Sequence, residues 1–184
     1  MTSPVIETAR LILRRFRDDD FDAVARLFSD PEVMRYLQDG APVSREEAAV
    51  HFRNLKENYW PEHDFGRWAV VSRETSELVG YCGLRLLDGT PEIVYVLDSA
   101  HWGRGLATEA ARACLRYAFE HLRLERVVAI TKYGNAASRR VMDRLDMRFQ
   151  KRCDFYGYDC VLYSIERADF KAGDEHYVLV NSES

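Results

Sequence analysis

Apolar and polar positions alternate along residues 7–16, with Leu11 and Leu13 on one face, the period-two pattern of a first strand. Asp18, Asp19 and Asp20 then precede an apolar run at helical spacing: Phe21, Val24, Ala25, Leu27 and Phe28. Acids before such a run suit a helix N-terminus, and Asp30-Pro31 ends it. Ser44 and Glu47 form a capping box, which predicts a second helix to about Tyr59, with Pro61 as its stop. Residues 67–71 and 78–86 read as strands joined through the polar link 73–77. Gly80 and Gly83 inside the second of these predict a bulge or a close backbone approach. Residues 91–97 and 126–130 are apolar on both faces, as central strands are. Between them, Leu106, Ala110, Ala113, Cys114, Tyr117 and Ala118 recur at helical spacing over 105–122. Asn135 begins a short helix with Val141, Met142 and Leu145 inward, and strands near 148–155 and 159–165 follow. The tail, residues 167–184, carries one apolar segment, Tyr177 to Val180, that fits an edge strand or a contact with another chain.

This order predicts one α+β (mixed α/β) domain over 1–184, with its core in 7–166. Its 184 residues suffice to bury roughly 70% of the unfolded surface without staples. A formal charge of −4 argues against general electrostatic binding of nucleic acid. The four cysteines form no CxxC pair and the five histidines no HExxH, so no metal is expected and the thiols read as reduced. No run approaches about 18 apolar residues, and residues 1–4 lack a basic region leading into an apolar one, which predicts a cytoplasmic protein away from the membrane.

The candidate chemistry lies at 97–110, where a buried strand runs into a glycine turn and a helix begins at once. The first helical turn leaves N–H groups unpaired and carries the positive end of the dipole, a combination that suits a pyrophosphate. Gly103 and Gly105 let phosphate oxygens approach the backbone, Arg104 can add charge, and Thr108 a hydroxyl. The third glycine of a dinucleotide-binding GxGxxG and the GK of a P-loop are both missing.

The run from Trp102 to Ala110, WGRGLATEA, resembles the acyl-CoA motif of the GNAT N-acetyltransferase superfamily. It is closest to the ribosomal-protein alanine N-acetyltransferase branch. Residues 7–14, ETARLILR, are similar to that branch's opening, and residues 135–145, beginning at Asn135, to its later N-x-x-S-x-x-V segment. The resemblance implies a mostly antiparallel, twisted, mixed sheet of about seven strands flanked by about four helices. It implies direct acetyl transfer from acetyl-CoA to an amine, a peptide N-terminus or small amine, by a monomer or homodimer. Cofactor contacts are implied for Val96, Leu97, Trp102, Gly103, Arg104, Gly105, Leu106, Ala107, Thr108, Asn135 and Ser138. Glu92 is the candidate general base and Ser138 the candidate general acid, with Tyr133 and Tyr156 as weaker alternatives. Trp60, Phe65, Trp68 and Tyr81 line the acceptor pocket or the core. Three departures stand out: Trp102 at a Gln/Arg position, Asp146-Met147 for Gly-Phe, and Val94 for a glycine that would open a bulge. A non-catalytic acyl-CoA-binding module on the same fold is the alternative.

Overall fold

A computed structural model describes residues 4–181. It contains one mixed sheet of nine strands: β1 Pro4–Thr8, β2 Leu11–Arg14, β3 Arg67–Ser72, β4 Leu78–Leu87, β5 Thr90–Leu97, β6 Arg126–Lys132, β7 Arg148–Phe155, β8 Tyr158–Glu166 and β9 Tyr177–Asn181. Their spatial order is β7-β8-β6-β5-β4-β3-β2-β1-β9, and only the β5–β6 pair is parallel. The helices are α1 Phe21–Ser29, α2 Pro31–Met34, α3 Arg45–Glu57, α4 Trp60–His63, α5 Leu106–Arg116 and α6 Ala136–Arg144. Four of them, α1, α3, α5 and α6, have two turns or more, as expected; α2 and α4 are single turns.

The two strands beyond the expected seven have separate causes. The anticipated first strand is a hairpin, because the Thr8 hydroxyl accepts the Leu11 N–H (3.0 Å) and turns the chain at Ala9-Arg10. The face pattern survives the bend, so Leu11 and Leu13 are buried as predicted. The tail adds β9, an edge strand paired antiparallel with β1. Residues 1–3 and 182–184, which belong to the N-terminal and tail expectations, lie outside the described residues.

The capping box at α3 forms as read: Ser44 Oγ accepts the Glu47 N–H and Glu47 Oε2 accepts the Ser44 N–H. Pro61 does not stop that helix. The helix ends at Glu57, and Pro61 sits in the first turn of α4, where its missing N–H costs no bond. Gly80 and Gly83 serve both expected purposes. The β3–β4 register shifts beside Gly80, and a Cβ at Gly83 would lie 2.2 Å from the Gly66 carbonyl oxygen. Val94 produces no irregularity on the β4 side, where β5 keeps unbroken register from Thr90 to Leu97.

Alternation along β3–β5 divides the sheet into two faces. Trp68, Cys82, Leu84, Ile93 and Leu97 pack with α5 in the main core, which also holds Trp60 and Phe65. Ala69 and Tyr81 face the smaller cluster beneath α1 and α3, with Phe16, Val24, Phe28, Met34 and Leu55. Three of the four cysteines are buried, and Cys114 and Cys82 meet as thiols at 3.5 Å within the main core. No helix among the described residues is long and apolar enough to cross a membrane.

Candidate active site

Strands β5 and β6 pair at one position only, Glu92 with Val128, and separate beyond it. A cleft of about 880 Å³ opens there, bounded by the two strands, the N-termini of α5 and α6, and the wall made by α1, α2 and α3. That volume falls within the range for small-molecule sites. The direction of the β5 backbone groups follows from its partner. Asp98 N–H donates to Val79 (2.9 Å) and the Val96 carbonyl faces Gly80, so even-numbered residues serve β4. Alternation then aims the amides of Tyr95 and Leu97 toward the separated side. The Leu97 carbonyl there accepts the Trp102 indole N–H at 2.8 Å.

After β5 the chain makes a short turn at Ser99–His101 and enters the glycine bend. Gly103 and Gly105 have φ of +74° and +78°, and Gly105 is the residue that caps α5. A Cβ at Gly103 would meet open space, and at Gly105 only Arg10 Nη2 at 3.6 Å. Both glycines therefore answer first to backbone conformation, which a side chain would strain. An unforeseen clamp holds the bend. Arg10 donates to Glu109 through its amide (2.9 Å) and Nε (2.7 Å), and to the Arg104 carbonyl through Nη1 (2.8 Å). Thr8 Oγ1 donates to the same Glu109 carboxylate at 2.6 Å. The two conspicuous motifs, at 7–14 and 102–110, are thus halves of one contact.

The structure brings together nearly all the expected residues. Val96, Leu97, Trp102, Gly103, Gly105, Leu106, Ala107, Thr108, Asn135, Ser138 and Glu92 all line the cleft. Arg104 instead turns its guanidinium to Glu74 Oε2, 3.6 Å away. Thr108 Oγ1 and His101 Nδ1 line the cleft as buried polar atoms without a partner, so hydrogen-bonding capacity remains there for a ligand. Asn135 caps α6 by accepting the Ser138 N–H at 3.1 Å.

Glu92 is a buried residue, not an exposed one at the start of a strand: 1% of it is accessible. It accepts two hydrogen bonds from Arg85, from Nε (2.6 Å) and Nη2 (3.2 Å), and the nearby Ile130 amide also favours its charged form. Burial pushes its pKa up from the ordinary carboxylate value, with the Arg85 bonds and charge opposing that shift. Ser138 Oγ lies 3.0 Å from Tyr95 Oη, which sequence reasoning passed over as an interior strand residue. Burial raises the pKa of that phenol, so Tyr95 stays protonated. Tyr133 lies outside this group, stacked against the guanidinium groups of Arg152 and Arg139, while Tyr156 is 84% exposed at the cleft mouth. Among the aromatic residues named for the acceptor side, Trp60, Phe65 and Trp68 are core, and Tyr81 reaches the cleft.

Residues 10–148 match the acetyltransferase (GNAT) domain family. The N-acetyltransferase YoaA of Bacillus subtilis is 35% identical over 151 residues, 80% of this chain and 84% of that one. A solved GNAT-family acetyltransferase from Bacillus anthracis superposes with a TM-score of 0.77 at 28% identity, covering 89% of this chain and 99% of the other. RimL, a ribosomal L7/L12 alpha-N-protein acetyltransferase solved with coenzyme A, shares the fold at a TM-score of 0.74 and 18% identity, covering 88% of this chain and 97% of its own. With a family match over most of the chain, a shared fold and a cleft at the parted strands, the protein belongs to the GNAT acetyltransferases.

Proposed function

We propose that the protein transfers an acetyl group directly from acetyl-CoA to an amine. The observation that carries this reading is a helix N-terminus with two left-handed glycines, set beside strands whose separation frees the Tyr95 and Leu97 amides. Backbone N–H groups from Gly103 to Thr108 suit the pyrophosphate, with Thr108 Oγ1 as a further donor. The amides of β5 suit the pantetheine arm and the thioester oxygen, where negative charge develops. RimL, with coenzyme A in its structure, has the same fold.

In this reading Glu92 is the general base and acts through water, since both carboxylate oxygens already accept from Arg85. Its raised pKa makes it a stronger base than an ordinary carboxylate. The amine nitrogen bonds to the acetyl carbon, the carbon–sulfur bond breaks, and the amine proton leaves toward Glu92. The Ser138 hydroxyl, held by Tyr95, passes a proton to the departing thiolate and regains one from solvent, while Glu92 releases the amine proton to solvent. Asn135 fixes the helix turn that carries Ser138 and suits a cofactor contact. An α-amine with a pKa near 8 is already partly neutral at pH 7.4, whereas neutralising a lysine costs roughly 4 kcal/mol. Together with the likeness to the ribosomal-protein alanine branch, this makes a peptide N-terminus the first acceptor to try.

Calorimetric titration with acetyl-CoA, NAD and ATP, paired with thiol release in the presence of peptide and small amines, tests the reading. Selective binding of acetyl-CoA with amine-dependent thiol release supports it. Binding without release identifies a non-catalytic module, and preference for NAD or ATP rejects the site assignment.

A further inference from the structure

The wall facing the glycine bend holds two guanidinium groups against one buried carboxylate. Arg67 begins β3 opposite Gly83, and Arg85, two residues further along β4, lies opposite Glu92. Period-two alternation puts all three charged residues on one face, with the Arg67 and Glu92 Cα atoms about 12 Å apart. Arg85 is committed to Glu92 through two hydrogen bonds.

Arg67 is held differently. Its Nη2 donates to the Asn54 carbonyl (2.8 Å), and its guanidinium carbon lies 5.5 Å from the Tyr59 ring centroid. Its Nε is buried without any partner. No carboxylate among the described residues forms an ion pair with it, and Glu92, which favours its charge, is already shared with Arg85. Glu32 and Asp88 also line the cleft, but both are exposed, where water screens them. A largely buried guanidinium without a direct counter-ion is costly, and burial lowers its pKa accordingly. Two cations and one anion leave this wall with an unmatched positive charge facing the cleft.

We infer that Arg67 recognises an anionic group on the acceptor: the substrate is an amine that also bears a carboxylate or phosphate several bonds from the reacting nitrogen. The planar fork of arginine matches either anion in geometry. The separation of Arg67 from Glu92 places the anion and the amine at opposite ends of one small molecule or of one acidic N-terminal dipeptide. This inference rests on the acetyl-transfer reading and adds the acceptor's charge to it.

The test uses matched acceptors with acetyl-CoA: aspartate against asparagine, glutamate against glutamine, O-phosphoserine against serine, and seryl-aspartate against seryl-asparagine. The wild-type protein is expected to favour the anionic member of at least one pair tenfold or more in kcat/KM. The pair that responds separates carboxylate from phosphate. Arg67→Gln removes that preference mainly through KM, Arg67→Lys restores part of it, and acetyl-CoA affinity stays within twofold. Melting provides a readout that needs no acceptor, because loss of an unmatched charge leaves the Tm of Arg67→Gln unchanged or higher. A wild-type protein indifferent to acceptor charge, a preference that survives Arg67→Gln, or a Tm lower by 5 °C or more overturns the assignment. Failure of acetyl-CoA to bind the wild-type protein is the distinct result that removes the acetyl-transfer reading beneath it.

Discussion

The two sides of the cleft are built by different means. The side formed by β5, the glycine bend and α5 offers backbone: amides of one strand, two glycines at positive φ and the first turn of a helix. The side formed by β3, β4, α1 and α3 offers side chains, among them Tyr81, Arg67 and Arg85, with the buried Glu92 reaching Arg85 from the start of β5. Backbone recognition depends on local conformation, which glycine spacing reveals in one short stretch of sequence. Side-chain recognition depends on register between strands far apart in the chain. The fold thus separates a shape that suits a constant donor from a wall that can change with the acceptor.

Disabling each side in turn sharpens that contrast. The largest effect is expected from Gly105→Glu, which puts a carboxylate at the helix start and forces a side chain into the left-handed region, a strain of roughly 1–2 kcal/mol. Acetyl-CoA affinity falls at least a hundredfold by calorimetry, while far-ultraviolet circular dichroism still reports the folded chain. Unchanged affinity refutes the assigned bend.

Next is Glu92→Gln, which lowers kcat by about 10²–10⁴ and leaves the KM for acetyl-CoA within a few-fold. Burial raises the Glu92 pKa, so the acid limb of the wild-type kcat/KM profile lies above the ordinary carboxylate range and disappears in the variant. The same shift has a stability sign. The folded state holds the Glu92 proton more tightly than the unfolded chain, so this residue's contribution is greatest below the ordinary value and declines as pH rises through the folded one. An unaltered kcat removes Glu92 as base.

Glu109→Ala tests the clamp. It strips partners from the Thr8 hydroxyl, the Arg10 amide and the Arg10 side chain, at a cost of about 1–3 kcal/mol in chemical denaturation. It also loosens the bend, so acetyl-CoA affinity falls with stability. A stable variant with intact affinity shows that the bend holds itself.

The smallest effect is at Asp146, with φ of +59° just past α6. The Asp146 N–H bonds the Asp143 carbonyl and the Met147 N–H the Met142 carbonyl, the helix-ending pattern that favours glycine at this residue. Asp146→Gly is expected to stabilise the fold by up to about 1 kcal/mol without changing turnover. A loss of stability contradicts the strain argument.

The same contrast explains what could be read in advance. The pattern revealed the long helices because one buried face repeats along each, and the central strands because both of their faces are apolar. The bend at Ala9-Arg10 was hidden because a hairpin and a single strand share the alternation of Leu11 and Leu13, and only the Thr8 hydroxyl separates them. Pro61 was misread because proline ends one helix and opens another with the same chemistry. Glu92 stood out as an acid beside an apolar run, but its bonds to Arg85 require the β4–β5 register. Tyr95 passed as core until the structure set its hydroxyl beside Ser138. Arg10 and Glu109 each lay in a recognised motif, yet their contact spans 99 positions in the chain, which no local pattern encodes.

The most direct measurement is a crystal structure of the protein with bound coenzyme A. The account predicts the pyrophosphate on the amides between Gly103 and Thr108, the pantetheine between β5 and β6, and the sulfur near Ser138. A diphosphate bound away from that helix start, with the amides facing solvent or closed off by side chains, contradicts it.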